Sequence, residues 1–162
     1  MNKKTIGQLL LMTSILALGA TFGGNLFDTI VNEKNTSFDY PTALIKLREV
    51  WTHSNPGNFF RTLTPFYSVS TIIALIIFWK SNKKVRLFLL LSIVGVAITQ
   101  AITIIYFFPQ NAIIRTGTIE EINAIKNAYL TTRQNLDSVR TILTLLSVVF
   151  SFSALHYSYQ QK

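Results

Sequence analysis

The chain carries 162 residues, 49% of them hydrophobic, with a formal charge of +8 and no cysteine. A mean hydropathy of +0.38 and long uncharged runs exclude an ordinary soluble domain and point to a single all-α membrane domain over residues 1–162; the missing cysteine excludes disulfides, thiolate metal sites and a cysteine nucleophile. The basic residues are parted by those runs instead of being clustered with stacking aromatics, so the charge reads as membrane topology, and nucleic acid is excluded as a partner.

Lys3 and Lys4 precede TIGQLLLMTSILALGATFGGNLF, residues 5–27. As a helix this uncharged run rises about 34 Å, enough to cross a bilayer, and it is the first expected span. A basic start, an apolar run and Ala17-Leu18-Gly19 also imitate a signal peptide, but the run continues well past that site. Gly19 and Gly23 stand four apart, a spacing that lets another helix approach closely, either inside the bundle or in a homo-oligomer. Residues 28–61 read as a polar connection. Within it, residues 40–53 form a short amphipathic helix on which Leu44, Leu47 and Val50 or Trp51 share a face, followed by the turn residues His53-Ser54-Asn55-Pro56-Gly57-Asn58.

The second span is predicted over residues 62–79, with Pro65 in its first turn and Trp79 at an interface. Lys80, Lys83, Lys84 and Arg86 crowd the loop that follows. The third span covers residues 87–108 and ends at Pro109, which disfavours helical geometry in the residue before it. Thr118-Ile119-Glu120-Glu121 is a capping box. The helix it opens carries Ile122, Ile125, Tyr129 and Leu136 on one stripe and meets no Gly or Pro before Tyr159, so it is expected to run unbroken into a fourth span at residues 141–159. The result is a membrane four-helix bundle with an amphipathic outer helix leading into the last span.

Charge sets the orientation. The amino terminus, the basic loop and the carboxyl end hold Lys3, Lys4, Lys80, Lys83, Lys84, Arg86 and Lys162 with no acid, while all seven Asp and Glu lie in the two other segments. The positive-inside rule then places both termini in the cytoplasm and residues 28–61 and 109–140 outside, as in a multi-pass protein of a bacterial inner membrane.

Polar groups near the outer rim are the candidates for chemistry, because in a membrane they are costly unless paired or facing a wet cavity. They are Asn25, Asp28, His53, Arg61, Gln100, Asn111, Arg115, Arg133, Asp137 and Arg140. Tyr129, Arg133, Asp137 and Arg140 fall at steps of four, four and three and share one helical stripe. Its structural use is a ladder securing the helix at the headgroups; its chemical use has Arg140 holding an oxyanion while Asp137 orients it or accepts a proton. His53 is a further candidate, since an imidazole can serve as a general base near neutral pH. His53 and His156 are the only histidines and are far apart in sequence, so no zinc or haem spacing exists.

A glycine-rich first span (ATFGGNLF), a third span closing on Phe108-Pro109-Gln110-Asn111, and a last span introduced by Ser138-Val139-Arg140-Thr141 together resemble a family of small four-helix integral membrane proteins that includes the anthrone oxygenases. The resemblance implies a site near one membrane face, to which Pro109, Asn111 and Arg140 carry over. Characterised members oxygenate anthrones with molecular oxygen and no metal or organic cofactor. Many place an aromatic or histidine shortly before the arginine, where this chain has Leu136 and Asp137. Such an oxygenase needs a base, a donor for the anion formed and a dry pocket; Asp137 or His53 would be the base, and Arg140 and Asn111 the donors. The alternative is a non-enzymatic membrane subunit that binds a lipid, a quinone or a protein partner.

Overall fold

Asn2 opens the first helix by accepting the Thr5 amide on its side-chain oxygen at 2.8 Å, which satisfies one of the unpaired donors of the first turn. From there the computed structural model, which describes residues 2–80 and 83–160, is helical with no strand among those residues. Lys162 and the Ser81-Asn82 part of the basic loop lie outside the described residues. The long helices are α1 (Lys3–Phe38), α3 (Pro56–Phe78), α4 (Lys83–Thr116) and α6 (Ala128–Tyr159), each long and apolar enough to cross a membrane. The short α2 (Thr42–Val50) and α5 (Ile119–Ala124) lie between them.

Neighbours in the bundle are antiparallel: α1 packs on α3 and α6, α4 packs on α6, and α3 meets α4 over the shortest stretch. The interior is more polar than the surface. Ser14, Ser92, Ser147 and Ser151 are fully buried, whereas Leu16, Ile76 and Ile105 are 75%, 69% and 76% exposed. This inversion of the soluble pattern fits helices whose outer faces meet hydrocarbon and whose inner faces approach closely through small residues. Apolar side chains close the two ends. Leu11, Ala74, Phe78, Val85, Leu89 and Ala154 tie the four helices together at one. At the other, Leu44 of α2 packs with Ile114, Ile122 and Tyr129, and Arg48 donates to the Ile114 and Gly117 carbonyls at 2.8 and 3.0 Å, capping the open end of α4.

Three of the long helices exceed α3 by nine residues or more, with 36, 34 and 32 residues in α1, α4 and α6 against 23 in α3, and the first two run past the span ends expected at residues 27 and 108. The first continues through residues 28–38, where a polar connection was expected, because Glu33 and Thr36 of that stretch turn inward and are buried. The second does not stop at Pro109. Just before the proline the helix widens into a π turn, Thr103–Phe107, in which the Phe108 amide donates to Thr103 O, so the ring is accommodated without a break. The capping box at Thr118 forms as expected, but the helix it opens ends at Ala124, and α6 starts anew at Ala128.

Glycine packing also differs from expectation. A Cβ built at Gly19 or Gly23 would meet nothing within 4 Å, so neither glycine brings two helices of the bundle together. Gly7 and Gly24 do so instead, lying 2.6 Å from Phe78 and 2.8 Å from Phe59 by the same measure.

Candidate functional site

Three π turns, in three different helices, open on one buried cluster. Asp28–Asn32 in α1 carries Asp28 and Thr29, Thr103–Phe107 in α4 carries Phe107, and Ala128–Arg133 in α6 carries Tyr129 and Arg133. A π turn rotates the following residues by an extra fraction of a turn and is found disproportionately where a helix must aim a functional side chain.

At the centre Arg140 Nη1 pairs with Asp137 Oδ1 at 3.1 Å. Both residues are buried, at 8% and 3% exposure. The second Asp137 oxygen accepts the Thr29 hydroxyl at 2.8 Å. Arg140 Nη2 donates to Asn25 Oδ1 at 3.3 Å, and Asn25 passes the chain on to Thr144 Oγ1 at 3.2 Å. The Arg140 guanidinium lies 4.1 Å from the Phe107 ring centroid, and Arg133 lies 4.6 Å from the same ring and 5.2 Å from that of Tyr129. One phenylalanine therefore meets two cations, an arrangement that spaces them with a ring quadrupole.

Around this core, Arg133 Nη1 donates to Gln110 Oε1 at 3.4 Å, and the Tyr129 and Thr36 hydroxyls are hydrogen-bonded to each other at 2.8 Å. Asn32 donates to Asp28 at 2.5 Å. Two groups remain open. Arg140 Nε is buried with no acceptor, and the carboxylate of buried Glu33 forms no ion pair or hydrogen bond among the described residues, where the charges of Asp137, Arg133, Asp28 and Arg140 all reach it.

No family model matches the chain. No curated protein and no solved structure matches it significantly either.

Of the residues singled out from sequence, Asn25, Asp28, Arg133, Asp137 and Arg140 meet in this cluster. His53 stands exposed in the turn after α2, without a hydrogen bond among the described residues. Asn111 is half-buried and likewise unbonded, because the unbroken helix through Pro109 turns its neighbour Gln110 inward to Arg133. Arg61 and Arg115 are exposed. Gln100 lies deeper, donating to Tyr67 Oη at 2.7 Å. Glu33, Thr29, Thr36, Phe107 and Gln110 were not singled out. The signal that would have found two of them is the row Thr21, Asn25, Thr29, Glu33 and Ser37, a polar residue at every fourth position.

No group of three or more acidic or histidine side chains among the described residues is arranged to hold a metal ion. Outside the long helices, Tyr40 roofs the cluster, its ring 5.4 Å from that of Tyr129 and its hydroxyl donating to Ile122 O. Burial, with Tyr129 adding to it, raises its phenol above the ordinary tyrosine range, so it stays a hydrogen-bond donor at physiological pH.

Proposed function

We propose that the protein is an integral membrane protein, with both termini cytoplasmic, that holds the polar oxygen of a hydrophobic small molecule in the ionic cluster at the outer end of its bundle. The observation that carries this reading is the convergence of three π turns on one buried cluster that keeps a free donor, Arg140 Nε, and holds Glu33, whose carboxylate has no hydrogen bond or ion pair among the described residues, close enough for the two charges to act on each other. Burying guanidinium and carboxylate groups costs free energy that well-packed apolar residues would avoid. An unmatched pair inside such a cluster is complementary to one hydroxyl or enol oxygen, which accepts from Arg140 Nε and donates to Glu33.

Native mass spectrometry of the protein extracted in mild detergent tests this reading. A small, oxygen-bearing hydrophobic molecule is expected to co-purify, with its occupancy lowered about tenfold in Glu33→Gln, the change one lost hydrogen bond of about 1.4 kcal/mol produces. Ligand-free protein at every detergent concentration would remove the reading.

Buried Glu33 also supports a second reading, cofactor-independent oxygenation of the kind the sequence resemblance implies. Glu33 would take the proton of an activated CH₂ next to a phenol ring, the Arg140 guanidinium would hold the resulting anion, and dioxygen would convert the CH₂ to C=O with release of one water. Asp137 suits the base role less well because both its oxygens are engaged. One dioxygen consumed per anthrone, abolished in Glu33→Gln and retained in His53→Ala, is the expected result. Absence of uptake by the wild-type protein would end the oxygenase reading and leave the binding reading standing.

Orientation has its own test. Reporter fusions are expected to place Lys83 in the cytoplasm and Asn127 outside; an external Lys83 would reverse the topology and put the ionic cluster at the inner face.

A further inference from the structure

The shortest seam of the bundle, between α3 and α4, holds a cleft of about 230 Å³. Ile72, Ile93 and Val96 form its apolar walls, and Tyr67, Ser68 and Gln100 supply its polar side. Gln100 gives one amide N–H to Tyr67 Oη, and Tyr67 donates to Thr64 Oγ1 at 3.1 Å. The second amide N–H and carbonyl oxygen of Gln100, and the hydroxyl of Ser68, have no hydrogen-bond partner among the described residues. Polar groups left open toward hydrocarbon cost several kcal/mol each unless something else meets them.

We infer that this cleft binds the head ring of a lipid-soluble quinone or quinol that enters sideways from the bilayer, at a site separate from the ionic cluster. Three features select that occupant. Gln100 is seven residues before Phe107 on α4, about 10 Å further into the bundle than the Arg140 stack, a depth at which phospholipid headgroups do not lie. A cavity of about 150 Å³ holds one benzene ring, so this cleft takes a single substituted ring, with its tail leaving through the open seam. A primary amide presents a donor and an acceptor together: the free N–H and the Ser68 hydroxyl suit a quinone carbonyl, and the free amide oxygen suits a quinol hydroxyl.

The test is equilibrium binding of a decyl-substituted benzoquinone, and separately of its quinol, to the full-length protein in lipid nanodiscs, with empty nanodiscs as the reference. Saturable binding of both redox forms is expected. Gln100→Leu should weaken it about tenfold, since an amide hydrogen bond is lost at a desolvated site, and Ala97→Phe, which places a ring in the cleft from one of its lining positions and keeps Gln100 and Ser68 in the chain, should abolish it. If Gln100→Leu does not assemble, Ser68→Ala carries the same comparison. Binding no greater than to empty nanodiscs overturns the inference, as does equal affinity in the polar and cleft-filling variants. Displacement by decylbenzene or oleic acid as effective as by unlabelled quinone would assign the cleft to plain hydrocarbon or fatty acid instead.

Discussion

Replacing Arg140 by leucine is expected to destabilise the bundle by about 3–5 kcal/mol, the typical cost of removing one member of a buried ion pair. Four partners are lost together: the Asp137 carboxylate at 3.1 Å, the Asn25 amide oxygen at 3.3 Å, the Phe107 ring at 4.1 Å and the through-space compensation of Asp28 and Glu33. What remains is Asp137 held by the Thr29 hydroxyl alone, beside two further carboxylates. The double variant Asp137→Asn, Arg140→Gln removes both charges while keeping neutral hydrogen-bonding groups, and it is expected to recover most of the loss. Arg140→Lys should fall between, because an ammonium keeps the charge but lacks the planar fork that faces Asp137 and Asn25 together and lies on a ring. Reversible unfolding in mixed detergent micelles measures all three. A single-variant loss below about 1 kcal/mol, the range of exposed pairs, would show the cluster to be wet and loosely coupled.

The cluster also shows how far local patterns reach. The stripe of Tyr129, Arg133, Asp137 and Arg140 was legible because its spacing is helical whatever lies opposite, and the Thr118 capping box was legible because it is a contact between residues three apart. The partner wall on α1 was not. Asp28, Asn32 and Glu33 make residues 28–38 polar, and polarity in a chain of apolar spans reads as a loop until the inward direction of those side chains is known. A stride of four residues is also wider than the 3.6 of an α-helix, and the π turn at Asp28–Asn32 helps to keep the row Asn25, Thr29 and Glu33 on one side. Pro109 misled for a related reason. Its missing donor is a local property that the sequence displays, whereas the π turn that absorbs it, closed by the Phe108 amide on Thr103 O, leaves no such mark in the residue pattern. The four long apolar helices themselves were legible from length and composition, since those are the properties a bilayer selects.

The other large effect lies further along α6, where α4 and α6 lock through serines. Ser92 Oγ meets Ser151 Oγ at 2.9 Å and donates to Ser147 O at 3.1 Å, while Ser147 Oγ faces Ser92 O at 3.3 Å. Gly95, one turn from Ser92, makes this approach possible: a Cβ there would collide with Ser147 Oγ and lie 3.4 Å from the Leu143 carbonyl. Gly95→Ala is therefore expected to cost about 1–3 kcal/mol as an overpacking substitution. Gly95→Leu should exceed that and separate α4 from α6, because backbone on the far side cannot withdraw as a flexible side chain can. The alanine cost has an identifiable source, and Ser147→Ala should relieve it by removing the oxygen that the new methyl meets. A double variant more stable than Gly95→Ala alone is the expected result of the mutant cycle. Gly19→Ala is the control, since a methyl there meets nothing within 4 Å; it should leave unfolding unchanged within about 0.5 kcal/mol, the range of substitutions away from any packed feature. A Gly95→Ala loss that Ser147→Ala does not relieve would mean that the α4–α6 contact is set by the helix backbones and not by this pair.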